Sequence, residues 1–285
     1  MLATLQDILG KARKEKYAVG LFNTVNLEMA KGVLKAAEEA GSPVIIGTAE
    51  VLLPYAGLEE LAPMLVSLAD QAAVPVVLHY DHGLTAECIK KAISLGFTSV
   101  MYDCSSLPYE ENCRLVADMV KYAHERGVSV EAELGHVGAN DGSAEGEGAD
   151  DHSIYTEPLQ AKHYAEVTGA DALAVAIGTA HGPYKSTPKL DFDRLKEISS
   201  IVSVPLVLHG GSGLSDDDFR RTIENGIAKI NIFTDINTAC ARAAYENFKD
   251  GTGMTDLMPH MTEAVREATL KKMKIFRSVG QYSTF

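Results

Sequence analysis

The chain has 285 residues, 46% of them hydrophobic, enough for a large core, and α/β barrels of this size usually form one domain. A formal net charge of −13 excludes nucleic acid as a partner, while a small anion can still be held by local backbone N–H groups. Cys88, Cys104, Cys113 and Cys240 form no CxxC pair, which suits a reducing cytoplasm, and no apolar run reaches membrane-spanning length.

In chain order, residues 1–16 place Leu2, Leu5, Ile8, Leu9 and Ala12 at helical spacing, and an amphipathic helix capping a barrel is expected there. Short apolar runs then recur at 18–22, 44–47, 76–79, 99–102, 129–133, 173–176, 206–208 and 228–232. Helical patterns follow most of them, at 27–40, 59–71, 85–94 and 109–126. Eight alternating βα units imply a parallel sheet closed into a (β/α)₈ TIM barrel, one domain over 1–285 with extra helices at its termini. The acidic, glycine-rich segment 135–155 breaks the rhythm and is expected to be a functional lid. Residues 254–276 return to a helical pattern.

Three of the buried strands end in polar groups. The run from Ala73 to Gly83 closes on His79-Tyr80-Asp81-His82-Gly83, and the run from Ser203 to Gly213 closes on His209-Gly210-Gly211-Ser212-Gly213. A looser copy, from Ala172 to Gly182, closes on His181-Gly182. A single such histidine is more often a hydrogen-bonded structural residue. Three at the C-terminal ends of strands, the catalytic face of this architecture, match the three imidazoles and open position of a catalytic zinc site. Spacing leaves His79 and His82 equivalent at their strand end. Asp81 suits either a carboxylate orienting a ligand or a general acid/base, and Asp103 and Glu133 either offer oxygen ligands to a second metal position or form salt bridges. The Gly210–Ser212 turn leads into a helix near Ser215. With Gly182, Asn231 and Thr234 it forms the corner where such barrels hold phosphate.

Taken together, Gly20-Leu21-Phe22-Asn23, His79 to Gly83, Glu131-Ala132-Glu133-Leu134-Gly135, Gly178 to Lys185, Leu208 to Gly213 and Lys229-Ile230-Asn231-Ile232 closely resemble the class II (zinc-dependent) ketose-bisphosphate aldolases. The resemblance covers essentially the whole chain. It implies His82, His181 and His209 as zinc ligands, Asp103 and Glu133 at a second metal position, and Asp81 handling the C4-hydroxyl proton during C3–C4 cleavage. Asn23, Gly182, Gly210, Gly211, Ser212, Asn231, Ile232, Phe233 and Thr234 fall at the substrate positions. A monovalent cation (Na⁺ or K⁺) beside the phosphate and a homo-oligomer, dimer or tetramer, are also expected.

The chain departs from the family pattern twice. The usual Gly-Gly-x-Glu-Asp run is Gly138-Ala139-Asn140-Asp141-Gly142, so Asp141, one methylene shorter, is the aligned candidate for the base at C3, with Glu145 and Glu147 as the alternatives. Phe233 stands where fructose enzymes carry Asp and tagatose enzymes a small residue. The implied substrate is a ketose 1,6-bisphosphate of fructose or tagatose type, with a ketose 1-phosphate lacking the distal phosphate as the alternative. A metal-independent lyase using Lys229 and a non-catalytic phosphosugar-binding barrel are the other readings.

Overall fold

The computed structural model describes residues 1–135, 137, 155–180 and 188–282. Eight strands close a parallel barrel: β2 (Val19–Asn23), β3 (Val44–Ala49), β4 (Val76–Gly83), β5 (Ser99–Tyr102), β6 (Ser129–Leu134), β7 (Ala172–Val175), β8 (Leu206–Leu208) and β9 (Ile227–Ile232). They pair in sequence order, and β9 returns to β2 with Val19 opposite Lys229 and Leu21 opposite Asn231. A short β1 (Leu2–Ala3) adds to the first residues of β4, which β5 leaves open because it begins only opposite His79. This is the (β/α)₈ barrel expected from the alternating pattern.

Around it lie α2 (Leu27–Ala40), α3 (Leu58–Gln71), α4 (Ala86–Ser94), α5 (Tyr109–His124), α6 (Pro158–Thr168), α7 (Phe192–Ile201), α8 (Asp216–Glu224) and α9 (Thr234–Asn247). The terminal α10 (Met254–Ile275) packs on α2 and α9. Gly32 permits the α2 contact, since a Cβ there would lie 2.7 Å from both the Thr262 carbonyl oxygen and Val265 Cβ.

The first helix, α1 (Leu5–Glu15), starts later than its apolar stripe suggests. Thr4 and Asp7 form a capping box, so Leu2 joins a strand and stays exposed. Leu5, Ile8, Leu9 and Ala12 are buried against Leu21, Ile45, Val77 and Val207 and plug the N-terminal end of the barrel. That end is sealed by apolar packing, and the opposite end is left to polar groups.

Candidate active site

Strand β4 builds the site. Leu78 and Tyr80 face the helices, and Val77 faces the barrel interior as its two-residue period requires. Beyond Tyr80 the register with β5 slips: Tyr80 pairs with Val100 and Gly83 with Tyr102, so Asp81 and His82 together oppose Met101. His82 adopts φ +43°, a conformation a non-glycine residue rarely takes. This bulge turns two consecutive side chains toward the same cavity, and the hydrogen bond between His82 Nδ1 and Asp103 Oδ2 (2.7 Å) holds the strained residue in place.

The cavity, about 530 Å³, lies over the C-terminal strand ends and is walled by Asn23, Asp81, His82, Asp103, the Gly210–Ser212 turn and residues 231–234. On its floor the His82 and His209 rings meet edge to face, 4.6 Å between centroids. Asp81, His82 and His209 present donor atoms within 4.8 Å of one another, and so do His82, Asp103 and Glu133. Imidazole and carboxylate are the donors a borderline divalent ion takes, and the ligating residues have their own supports: Asp103 on His82, and Glu131 on His209 Nε2 (2.8 Å). The donor set therefore fits a metal.

Charge at the site is arranged for a cation. Burial disfavours a charged His209, but hydrogen bonds to Glu131 and Glu133 outweigh it and push the imidazole up to about 10. Burial also opposes ionisation of Glu131 and of Asp103. Lys229 nevertheless brings Glu131 down to about 2, and His82 holds Asp103 far below the usual carboxylate range. Asp81 is depressed against its own desolvation, chiefly by the field of His82 and a hydrogen bond with His79. Without metal, protonated imidazoles balance these carboxylates, and a divalent ion would take over that role by displacing protons.

His79 is the weaker ligand candidate of the two on β4. It is fully buried below the cavity, with Nδ1 2.7 Å from Ser99 Oγ, and burial followed by the Lys229 charge lowers its pKa. Its possible metal group with Asp81 and Glu131 already contains the Lys229 ammonium, 2.8 Å from Glu131 Oε2. His82 lines the cavity and His79 does not.

The phosphate corner differs in one respect from the sequence reading. Gly210 has φ +65°, and a Cβ there would approach the Ala180 carbonyl oxygen to 2.4 Å, so the turn requires glycine. The N-terminus of α8, however, is already satisfied by its Ser215–Asp218 capping box and carries Asp216 and Asp217 in its first turn. Its field is offset by its own carboxylates. The start of α9 is the better anion site: among the described residues it has no side-chain cap, Phe233 and Thr234 line the cavity, and first-turn Asp235 is paired with Lys272 at 2.6 Å.

Asn23, Asp81, His82, Asp103, Gly210, Gly211, Ser212, Asn231, Ile232, Phe233 and Thr234 all line this one cavity. Glu133 and His209 are buried just beneath, Nδ1 to Oε2 3.0 Å. Asp141, His181, Gly182 and most of the 135–155 loop lie outside the described residues. Sequence reasoning missed Val137, which lines the cavity, and the roles of Glu131 and His79 in a buried polar layer below it. A signal existed: Glu131 and Glu133 alternate within one buried strand, which points both carboxylates at the barrel interior.

A parallel barrel that gathers imidazoles, carboxylates and glycine-turn amides at its C-terminal end defines a metal-dependent barrel enzyme. The sequence model of the family described as Fructose-bisphosphate aldolase class-II matches residues 3–281. The uncharacterised protein YdjI of Escherichia coli K12 is 44% identical over 281 residues, covering 99% of both chains. The crystal structure of that protein, described as an aldolase, superposes with a TM-score of 0.90 at 42% identity over 99% of this chain and 100% of its own. A fructose-bisphosphate aldolase of Geobacillus stearothermophilus is 41% identical over 286 residues, 98% of each chain. The chain belongs to the class II fructose-bisphosphate aldolase family, a family of metal-dependent lyases. No helix among the described residues is long and apolar enough to cross a membrane.

Proposed function

We propose that this enzyme carries out the zinc-dependent, reversible aldol cleavage of a ketose 1,6-bisphosphate of fructose or tagatose type. The products are dihydroxyacetone phosphate and an aldehyde such as glyceraldehyde 3-phosphate. The proposal extends to a single domain over 1–285, a cytoplasmic homo-oligomer (dimer or tetramer), and a Na⁺ or K⁺ ion beside the phosphate. The observation that carries it is the meeting, in one cavity, of the Asp81–His82–His209 donor cluster with the Gly210–Ser212 turn and the uncapped start of α9.

His82, His209 and His181 would hold the zinc, with Asp103 and Glu133 at a second position. When bound, zinc would supply Lewis acidity for the negative charge formed beside the ketone, so no lysine Schiff base would be needed. Amides of Gly182, Gly210, Gly211 and Ser212, with residues 231–234, fix the phosphate and so orient the carbon chain. Asn23 donates its amide to Asp81 at 2.7 Å, and its Oδ1, buried with no hydrogen-bond partner among the described residues, is left to accept from a substrate hydroxyl. Asp81 takes the C4-hydroxyl proton as the C3–C4 bond breaks and its electron pair moves toward C3. Asp141 protonates C3, and in condensation removes that proton. Hydrogen exchange at C3 of dihydroxyacetone phosphate in deuterated water, with no aldehyde present, checks this last role. In Asp141→Ala the exchange slows by about 10²-fold or more, with phosphate binding nearly unchanged. Native exchange in that variant would remove Asp141 from the mechanism.

A second reading is favoured by the outer wall of the cavity. Ala49, Val51, Leu52, Leu84 and Phe233 form it, and among the described lining residues no lysine or arginine faces the distal end of a substrate. That wall suits a ketose 1-phosphate without a distal phosphate. A retro-aldol screen over ketose 1,6-bisphosphates and ketose 1-phosphates, with metal analysis of the same sample, separates the two. Faster turnover of a bisphosphate supports the first reading, and faster turnover of a 1-phosphate supports the second. No turnover of any ketose phosphate by fully metal-loaded protein sinks both.

A further inference from the structure

Below the cavity floor lies an ion pair that the reaction above does not use. Lys229 and Glu131 are both fully buried, and Lys229 Nζ is 2.8 Å from Glu131 Oε2. We propose that this pair is a positioning device serving two parts of the site at once: the His209 imidazole and the Asp81 carboxylate. The inference rests on the aldolase reading, which gives those two groups their roles.

Each arm follows from hydrogen-bond chemistry. Glu131 Oε1 lies 2.8 Å from His209 Nε2. An ionised carboxylate can only accept, so Nε2 must carry hydrogen, and the ring is fixed with Nδ1 toward Glu133 and the metal cluster. On the other arm, Lys229 Nζ donates to Asn231 Oδ1 at 2.7 Å. An ammonium has no acceptor, so it can only face the amide oxygen. The Asn231 NH₂ is thereby turned to Asp81, 3.1 Å from Oδ1 and 3.3 Å from Oδ2, where it holds the carboxylate together with Asn23.

Strand geometry explains how one lysine reaches both arms. The register of β9 slips between Ile227 and Lys229, while Ile230 and Ile232 pack outward against the helices. Lys229 and Asn231 therefore face the interior in succession, opposite β6 with Glu131 and Glu133. Lys229 also engages the second carboxylate oxygen, Oε2, and so leaves Oε1 to His209. With its ammonium held by Glu131 and Asn231 beneath the cavity, Lys229 has no lone pair to present to a substrate carbonyl. That places it in support of the metal site and not in Schiff-base chemistry.

The test uses full-length Lys229→Met, Glu131→Gln and the double variant, whose neutral pair keeps the length of Glu131 and shortens Lys229 only by its terminal nitrogen. Zinc affinity is measured by competition with a chromogenic chelator, kcat and KM on the best ketose phosphate, and folding by thermal unfolding. Each single variant is expected to bind zinc about 10–100-fold more weakly, the usual effect of losing a group that supports a metal ligand. At saturating zinc, Lys229→Met is expected to retain a lowered kcat with KM within about two-fold of native, because Asp81 has lost its orientation while the phosphate site is untouched. The double variant should lose no more than the worse single one, as two residues acting as a unit do. Native zinc affinity in a folded variant, or fully additive losses, overturns the proposal. So does failure of the double variant to fold, which would make the pair a folding element. If the native enzyme turns over no ketose phosphate, the aldolase reading fails while the zinc measurements still judge the pair.

Discussion

Replacing His209 by alanine is expected to remove zinc, from near one per chain to near none, and to take aldol cleavage below detection. The variant deletes one imidazole of the donor cluster and removes the ring that bridges the buried carboxylates of Glu131 and Glu133. Metal analysis of the purified protein checks this directly. The companion variant His79→Gln should keep its zinc, since His79 lies below the cavity and beside the Lys229 charge. A zinc-free His209→Ala enzyme with native turnover would end the metal-dependent reading for this chain. Proton competition adds a signature. The metal-free His209 imidazole is held protonated up to about 10, so zinc must displace a proton across the neutral range. Zinc affinity should therefore rise with pH toward that value and fall as the pH is lowered.

Replacing Asp81 by alanine should leave zinc and phosphate binding in place and lower kcat by about 10²–10⁴, the range typical of a positioned acid–base group. Asp81 accepts hydrogen bonds from Asn23 and Asn231, which hold its carboxylate at the cavity wall. Its pKa lies well below the usual carboxylate value, so it is ionised and able to take the C4-hydroxyl proton throughout the working range. An acidic limb in the kcat/KM profile near neutrality accordingly belongs to another group, and should survive in Asp81→Asn. A variant that loses zinc, yet turns over normally once reloaded, would make Asp81 an orienting residue only.

Much of this was legible in the sequence because the barrel writes itself as a period. Short apolar runs alternating with amphipathic helices at 27–40 and 109–124 can bury both faces of a parallel strand in only a few ways, and closure over eight units is one of them. The polar ends of β4 and β8 were equally plain, since a buried strand that finishes in His-Tyr-Asp-His-Gly or His-Gly-Gly-Ser can be apolar only up to the point where it leaves the core.

Tertiary structure decided what a one-dimensional pattern leaves degenerate. Local spacing is the same for His79 and His82; only the bulge against β5, with His82 at φ +43°, turns the second imidazole into the cavity beside Asp81. Sequence puts a glycine turn before α8, but the capping box and acidic first turn of that helix shift the anion-favouring amides to α9. Glu131, Lys229 and Asn231 are distant in the chain, and their joint hold on His209 and Asp81 exists only because β6 and β9 face each other across a closed interior. Periodicity is a property of one strand and survives in the sequence, whereas which charges meet is fixed by register between strands, which only the folded barrel sets.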